Sequence, residues 1–397
     1  MAKDTAPPRN WDRSGLPGWA YHSPALFDIE QQALFRTHWQ LAGHVGDLPE
    51  PGDFITFDIG PERALILRGH DREIRAFHNL CRHRGTRVVG AERGRCNKAV
   101  ICPFHGWAYN LDGSLRGVAE RGSFPPLDRR EWGLKPIEIE IWHGFIFVRF
   151  APSDQPPVAR ILARYAEDAA GHGTAGMVPA EDAYWQEEIA ANWKAVRDVD
   201  NEGYHVRQAH PALHDLYGSD YHDEEFVDGA ARSVGRFNAG PSKLWSVRAY
   251  RGIVAGATPL AQPYDASWRY ISLFPNAVIG LYPDSMIWYQ EIPLGPERTL
   301  QRGAVYRYAQ ESRELRLARY LSGRIDRDTL EEDQMLCVWA AEATRSSAYD
   351  GVMLSDLEYG LKTFHDHLKD VIPALCNVEE PGADKMREGI AGNGGRT

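Results

Sequence analysis

Apolar and polar residues alternate with a period of two over three short runs, residues 54–59, 64–68 and 74–79, with Pro51-Gly52 and Gly60-Pro61 as punctuation. This pattern predicts antiparallel strands. Residues 137–150 (IEIEIWHGFIFVRF) read as two more strands joined near His143-Gly144, and NLDGS at 110–114 carries an Asp-Gly hairpin signal. Ahead of them, Leu34, Phe35 and Trp39 recur at helical spacing within residues 27–39. The expected organisation is a helical segment, residues 1–39, packing on a second domain, followed by a small all-β domain, residues 40–152.

PSDQPP (residues 152–157) shifts composition and predicts a linker. Beyond it the pattern predicts a helix at 158–170, then strands at 233–237, 244–250, 269–274, 277–282, 286–293 and 301–308. Helical patterns at 328–343 and 356–368 close the chain. A run of strands followed by helices argues an α+β domain over residues 153–380. Residues 381–397 are expected to form a loose tail.

At 397 residues and 43% hydrophobic content, two domains with ample cores are expected. A net charge of −10 argues against nucleic acid as a partner, since phosphate binding needs clustered Lys and Arg. Acidic surface suits a cationic substrate or the basic face of a redox partner. Five cysteines at irregular spacing fit a reducing compartment, and residues 1–25 hold no apolar stretch of the signal-peptide kind. No run approaches the eighteen apolar residues of a membrane span. A cytoplasmic location is the expectation. Cys96, Cys337 and Cys376 read as small packed side chains.

The chemistry begins at residues 81–107, CRHRGTRVVGAERGRCNKAVICPFHGW. Cys81 and His83 form a Cys-x-His pair, and Cys102 and His105 form a Cys-x-x-His pair. Two thiolates on one iron and two imidazoles on the other are what a high-potential [2Fe-2S] cluster requires. The alternative is structural zinc. Zinc fingers place both histidines on one helix, however, whereas here each histidine follows its own cysteine and is trailed by glycine, Gly85 or Gly106.

Residues 192–214, NWKAVRDVDNEGYHVRQAHPALH, concentrate histidine and carboxylate a second time. On a straight helix His205 and His210 point about 140° apart, too far round to share one ion. Pro211 disfavours helical geometry at His210 and would let that imidazole swing back. His210 and His214, four apart, form the competing pair. Further on, Glu331, Glu332 and Asp333 precede an apolar helix face; acids in a first turn also serve simply to complement the helix dipole.

The CxHRG and CPFHGW contexts, with NWK and then an acid three residues before the histidine of a Tyr-His, resemble the catalytic alpha subunits of the Rieske non-haem iron oxygenases. The resemblance implies a Rieske [2Fe-2S] domain with Cys81, His83, Cys102 and His105 as cluster ligands. It further implies a helix-grip, START-like catalytic domain in which a long C-terminal helix lies across a curved antiparallel sheet. His205 and His210 become ligands of a mononuclear Fe(II), completed to a 2-His-1-carboxylate set by Asp333. Glu202 becomes the acidic bridge to the cluster of a neighbouring subunit in a homotrimer. Most ring-hydroxylating members carry Asp at that bridge; Glu, as here, occurs in some that act on quaternary amines.

No GxGxxG fingerprint accompanies a strand and helix, so electrons from NAD(P)H are expected through a separate reductase, with or without a ferredoxin. The stretch LFPNAVIGLYPDSMIWYQEIPLGPERT resembles oxygenases of glycine betaine or carnitine. Tyr184, Trp185, Trp245, Trp268, Tyr270, Tyr282, Trp288 and Tyr289 offer faces for cation–π contact or plain packing. The leading reading is O2-dependent hydroxylation of a methylammonium compound, with N-demethylation or C–N cleavage. Aromatic ring hydroxylation is the alternative, and an iron-sulfur electron carrier or sensor is the alternative of another class. Iron analysis separates the last: an oxygenase holds two cluster irons plus one mononuclear iron per chain, a carrier only the two.

Overall fold

The computed structural model describes residues 7–388. The chain divides into two compact units, one spanning Phe35–Ala159, the other joining the residues up to Leu34 with those from Arg160 onward.

Alternation in the first unit yields a seven-stranded antiparallel sheet. Its spatial order is Gln40–His44, Phe145–Arg149, Pro136–Trp142, Ile74–His78, Glu62–Arg68, Asp53–Ile59 and Arg93–Arg95. His143 and Gly144, both at positive φ, make the two-residue loop between the long pair, as hairpin twist requires. A smaller sheet of Val100–Ile101, Ala108–Tyr109 and Leu115–Gly117 carries the NLDGS turn. Between the two lies a core in which Cys81, Cys102, Trp107 and Tyr109 pack with Phe54, Leu65 and Phe77.

PSDQPP is tied down. The Gln155 side chain accepts from the Trp39 backbone N–H at 2.8 Å, Trp39 Nε1 donates to the Pro156 carbonyl at 3.0 Å, and Glu140 accepts from the Val158 N–H at 2.8 Å. These bonds stitch both ends of the β unit together and place its limits a few residues outside 40–152. The N-terminal helix is shorter than residues 27–39: Pro24–Glu30 is α-helical, capped by Ser23, and a π turn at Gln31–Phe35 ends it.

The second unit is built on another seven-stranded antiparallel sheet, ordered Val178–Ile189, Arg298–Arg307, Ser285–Gly295, Ala277–Leu281, Ser267–Leu273, Ala230–Arg236 and Tyr221–Asp223. The closing helix is twice the length expected, Arg313–Ala343, started by Ser312, whose side chain accepts from the Leu315 N–H. Its buried Leu315, Ala318, Leu321, Ser322 and Ile325 follow helical spacing and pack toward the helices Trp193–Asp200 and Trp245–Ala257.

Three expectations fail here. Residues 244–250 are not a strand but open the helix Trp245–Ala257; Val247, Tyr250 and Val254 are buried at i, i+3 and i+7, a helical period masked by a window of seven. The helix at 158–170 breaks into Val158–Ile161, a 3₁₀ turn and Ala166–Gly171. The tail from 381 includes the helix Ala383–Glu388, whose Met386 is buried, while Ser23 donates to Glu380 at 2.5 Å; residues 389–397 lie outside the described residues. Among the described residues no helix is long and apolar enough to cross a membrane.

The helix Trp193–Asp200 is anchored by charge in the core. Lys194 and Glu30, both fully buried, form an ion pair at 2.5 Å, and Trp193 Nε1 donates to the other Glu30 oxygen at 2.9 Å. Removing one partner strands the other charge. Glu30→Ala should therefore cost about 3–5 kcal/mol in denaturant unfolding, and Glu30→Leu combined with Lys194→Met should recover most of it.

Candidate metal centres

The two Cys/His loops of the β unit have the same backbone. In one, the Cys81 carbonyl accepts from Gly85 N–H at 2.9 Å and the Cys81 N–H donates to Thr86 at 2.8 Å. In the other, the Cys102 carbonyl accepts from Gly106 at 3.1 Å and the Cys102 N–H donates to Trp107 at 2.8 Å. Gly85 and Gly106 both turn through positive φ, +72° and +67°, which side chains resist.

The loops bring the His83 and His105 rings to 4.7 Å between centroids, with Trp107 stacked on His83 at 5.2 Å. Both cysteines are buried, and burial pushes the Cys81 thiol up. A thiolate there needs a cation beside it. The Tyr109 hydroxyl sits 3.3 Å from Cys81 Sγ and accepts from the Arg82 N–H at 2.9 Å. His83 Nδ1 is buried without a hydrogen-bond partner. Buried sulfurs short of positive charge and an orphaned imidazole nitrogen fit a cluster with two-Cys, two-His ligation.

In the second unit, Asn192 caps the Trp193–Asp200 helix by accepting from the Lys194 N–H at 3.0 Å. Gly203 follows; a Cβ there would stand 2.0 Å from the Tyr221 ring, and its N–H donates to Asp223 at 2.8 Å. Only glycine allows so close an approach. The chain then makes one turn, Val206–Ala209, leaves the helix at His210 (φ −118°, ψ 84°), and restarts with Pro211 in the first turn of Pro211–Tyr217.

The break turns the His210 ring toward His205. Their Nε2 atoms stand 3.0 Å apart, and Asp333 Oδ1 lies 2.9 Å from His210 Nε2 and 3.6 Å from His205 Nε2. Donors about 2.1 Å from one ion and at right angles are separated by about 3.0 Å, so one divalent cation fits all three. Asp333 Oδ1 is itself buried and makes no well-formed hydrogen bond.

Each imidazole is held from behind by a carboxylate, Glu202 on His205 Nδ1 and Glu332 on His210 Nδ1, the latter at 2.8 Å. Glu202 also accepts from the backbone N–H groups of Tyr204 and His205 at 2.5 and 3.2 Å. Burial works against a charged His205, yet Asp333 and Glu202 outweigh it and lift the imidazole to about 10. Burial likewise works against ionised Asp333, and the two histidines reverse it. Carboxylates thus outnumber what they surround, and the centre calls for positive charge.

His214 takes no part in this group; the ligand-like set is His205, His210 and Asp333. Glu331 is exposed. Glu332, read from sequence only as a rival for the ion, instead orients His210; three adjacent acids were visible, but which would face which imidazole depends on helix rotation. Asp200 accepts from Tyr289 at 2.5 Å and from the fully buried Arg197 at 2.7 Å, which locks the approach to the loop. Of the aromatic residues, Trp268 and Tyr282 are core, Trp288 bonds to Tyr306, and Trp245 is exposed beneath Arg324.

The Rieske [2Fe-2S] domain family matches residues 38–128, and the catalytic domain of the ring hydroxylating alpha subunit matches residues 178–374. The chain belongs to the Rieske non-haem iron oxygenases, and these domains imply a Rieske cluster and a mononuclear iron. A glycine betaine monooxygenase oxygenase subunit of Pseudomonas aeruginosa is 36% identical over 207 residues, 52% of this chain and 47% of the relative; that match spans about half the relative's length. Its counterpart from Chromohalobacter salexigens is 29% identical over 94% of this chain and 89% of the relative. Among solved structures, a quaternary ammonium Rieske monooxygenase superposes with a TM-score of 0.76 at 23% identity, over 90% of this chain and 95% of that one, a likeness of fold.

Two substitutions separate the roles within the second centre. Asp333→Ala should abolish mononuclear iron binding. Glu332→Ala should weaken iron affinity about 10–100-fold, as loss of an outer carboxylate does. Iron titration measures both, and the cluster absorption of each variant should match wild type.

Proposed function

We propose that this chain is the terminal oxygenase of a Rieske system that hydroxylates the N-methyl or adjacent carbon of a small quaternary ammonium compound. The observation that carries the reading is the convergence of His205 Nε2, His210 Nε2 and Asp333 Oδ1 in a chain that also holds paired Cys/His loops. A carrier or sensor has no use for the second set. When bound, the cluster supplies single electrons and the iron offers open positions for dioxygen.

The residues divide that work. Cys81, Cys102, His83 and His105 would hold the cluster on matched loops, and His205, His210 and Asp333 would hold the iron. Glu332 fixes the tautomer of His210. Glu202 fixes His205 and is the group through which a neighbouring subunit's cluster couples in a head-to-tail homotrimer. Electrons come from NAD(P)H through a separate reductase, with or without a ferredoxin, and the protein works in the cytoplasm.

One oxygen atom enters a C–H bond and the other leaves as water, consuming two electrons and two protons. An N-hydroxymethyl product then loses formaldehyde and a proton to give the tertiary amine. Support for a methylammonium substrate comes from the names of the relatives, the net charge of −10 and Glu at position 202. Aromatic ring hydroxylation is the second reading, favoured by the description of the catalytic family.

A panel with reconstituted reductase decides between them: formaldehyde from glycine betaine or carnitine supports the first, a cis-diol or phenol from an arene the second. Glu202→Gln should keep both metals and nearly abolish coupled turnover; turnover at the wild-type rate refutes its bridging role.

A further inference from the structure

The helix that supplies Asp333 carries another acid two turns earlier. Asp326 and Asp333 are seven residues apart, so they share a face and stand roughly 10 Å apart along the axis. Asp326 accepts from the Tyr282 hydroxyl at 3.1 Å; Tyr282 reaches Tyr270 at 3.3 Å, and Tyr270 reaches Tyr217 at 3.2 Å. Tyr282 stacks on Trp268 at 4.0 Å with the planes 13° apart, and Tyr270 meets Tyr282 edge-on at 5.9 Å.

Tyr217, Trp268 and Tyr282 are closed off, whereas Asp326 and Tyr270 keep accessible surface. Burial nonetheless lifts the Asp326 carboxyl to about 8. Among the described residues no Lys, Arg or His forms an ion pair with it, and the charge of the exposed Arg327 beside it in the chain offsets the burial only in part. A carboxylate inside an aromatic cluster without a paired cation is costly, so the acid stays protonated until a cation arrives beside it. Position, the accessible surface of Asp326 and Tyr270, and the lack of an ion-pair partner point to a ligand that brings the charge itself.

We propose that Asp326, held by the buried Tyr282 and flanked by the ring of Tyr270, is the anionic end of the substrate site and neutralises the substrate's ammonium group. The seven-residue spacing sets Asp326 about 10 Å along the helix from Asp333, a separation on the scale of a small ammonium substrate. Asp326 is a specificity-determining residue, and its assignment rests on the quaternary ammonium reading above.

The test compares choline with its uncharged isostere 3,3-dimethylbutan-1-ol, by calorimetry on the metal-replete protein. Wild type should prefer choline by about tenfold or more, the scale of one modest charge contact. Asp326→Asn should bring the two ligands within about twofold, with cluster absorption and iron content unchanged, and Asp326→Glu should restore the preference. Asp326→Ser carries the same comparison if the Asn variant does not fold. A preference that survives in the Asn or Ser variant overturns the role of Asp326 and leaves the ammonium reading standing. No preference in wild type overturns the ammonium reading itself.

Discussion

Two imidazole nitrogens 3.0 Å apart with a carboxylate oxygen beside them are not a stable arrangement of neutral groups. Either protons or a metal ion must sit among them. Everything around the second unit's centre serves to keep those atoms together in spite of that. Glu202 and Glu332 grip the outer nitrogens, so each ring has one orientation and one inward atom. The electrostatic sum favours a cation at the focus, and an ion with open positions turns a stored repulsion into a binding site.

That grip works because its supports are rigid. Lys194 paired with Glu30, Arg197 between Asp200 and Glu291, and the close seat of Gly203 on Tyr221 leave the segment after the Trp193–Asp200 helix almost no freedom. From the other side, a single 31-residue helix carries Asp326, Glu332 and Asp333 in fixed rotation. One rigid rod thus presents a metal-facing carboxylate, an imidazole-holding carboxylate and an acid set in an aromatic cluster. In the β unit the logic is repetition: two loops of one backbone shape offer a sulfur and an imidazole each, and the Tyr109 hydroxyl steadies Cys81.

Much of this was legible before any coordinates. The Cys/His pairs, their trailing glycines and the strand alternation of the first unit are local patterns, and local rules of turn and pleat suffice to read them. Pro211 made the departure from helix at His210 foreseeable, since a residue before proline avoids the helical region. The helix at 245–257 was misread because seven residues cannot distinguish a strand from a helix buried on one face. The closing helix extends to twice the length its pattern suggests because its first half is amphipathic but rich in Arg.

The sequence by itself determined which atoms could do the chemistry: two soft sulfurs, four imidazoles and a short run of acids, with the turns that expose them. Only the tertiary structure decided which acid faces which nitrogen. Glu332 and Asp333 are adjacent in the chain and about 100° apart around the helix. Their separate tasks follow from how that helix is rotated against His205 and His210, a property of packing between segments more than a hundred residues apart. Asp326 likewise gains meaning only from Tyr217, Tyr270 and Tyr282, which distant strands and helices bring to its side.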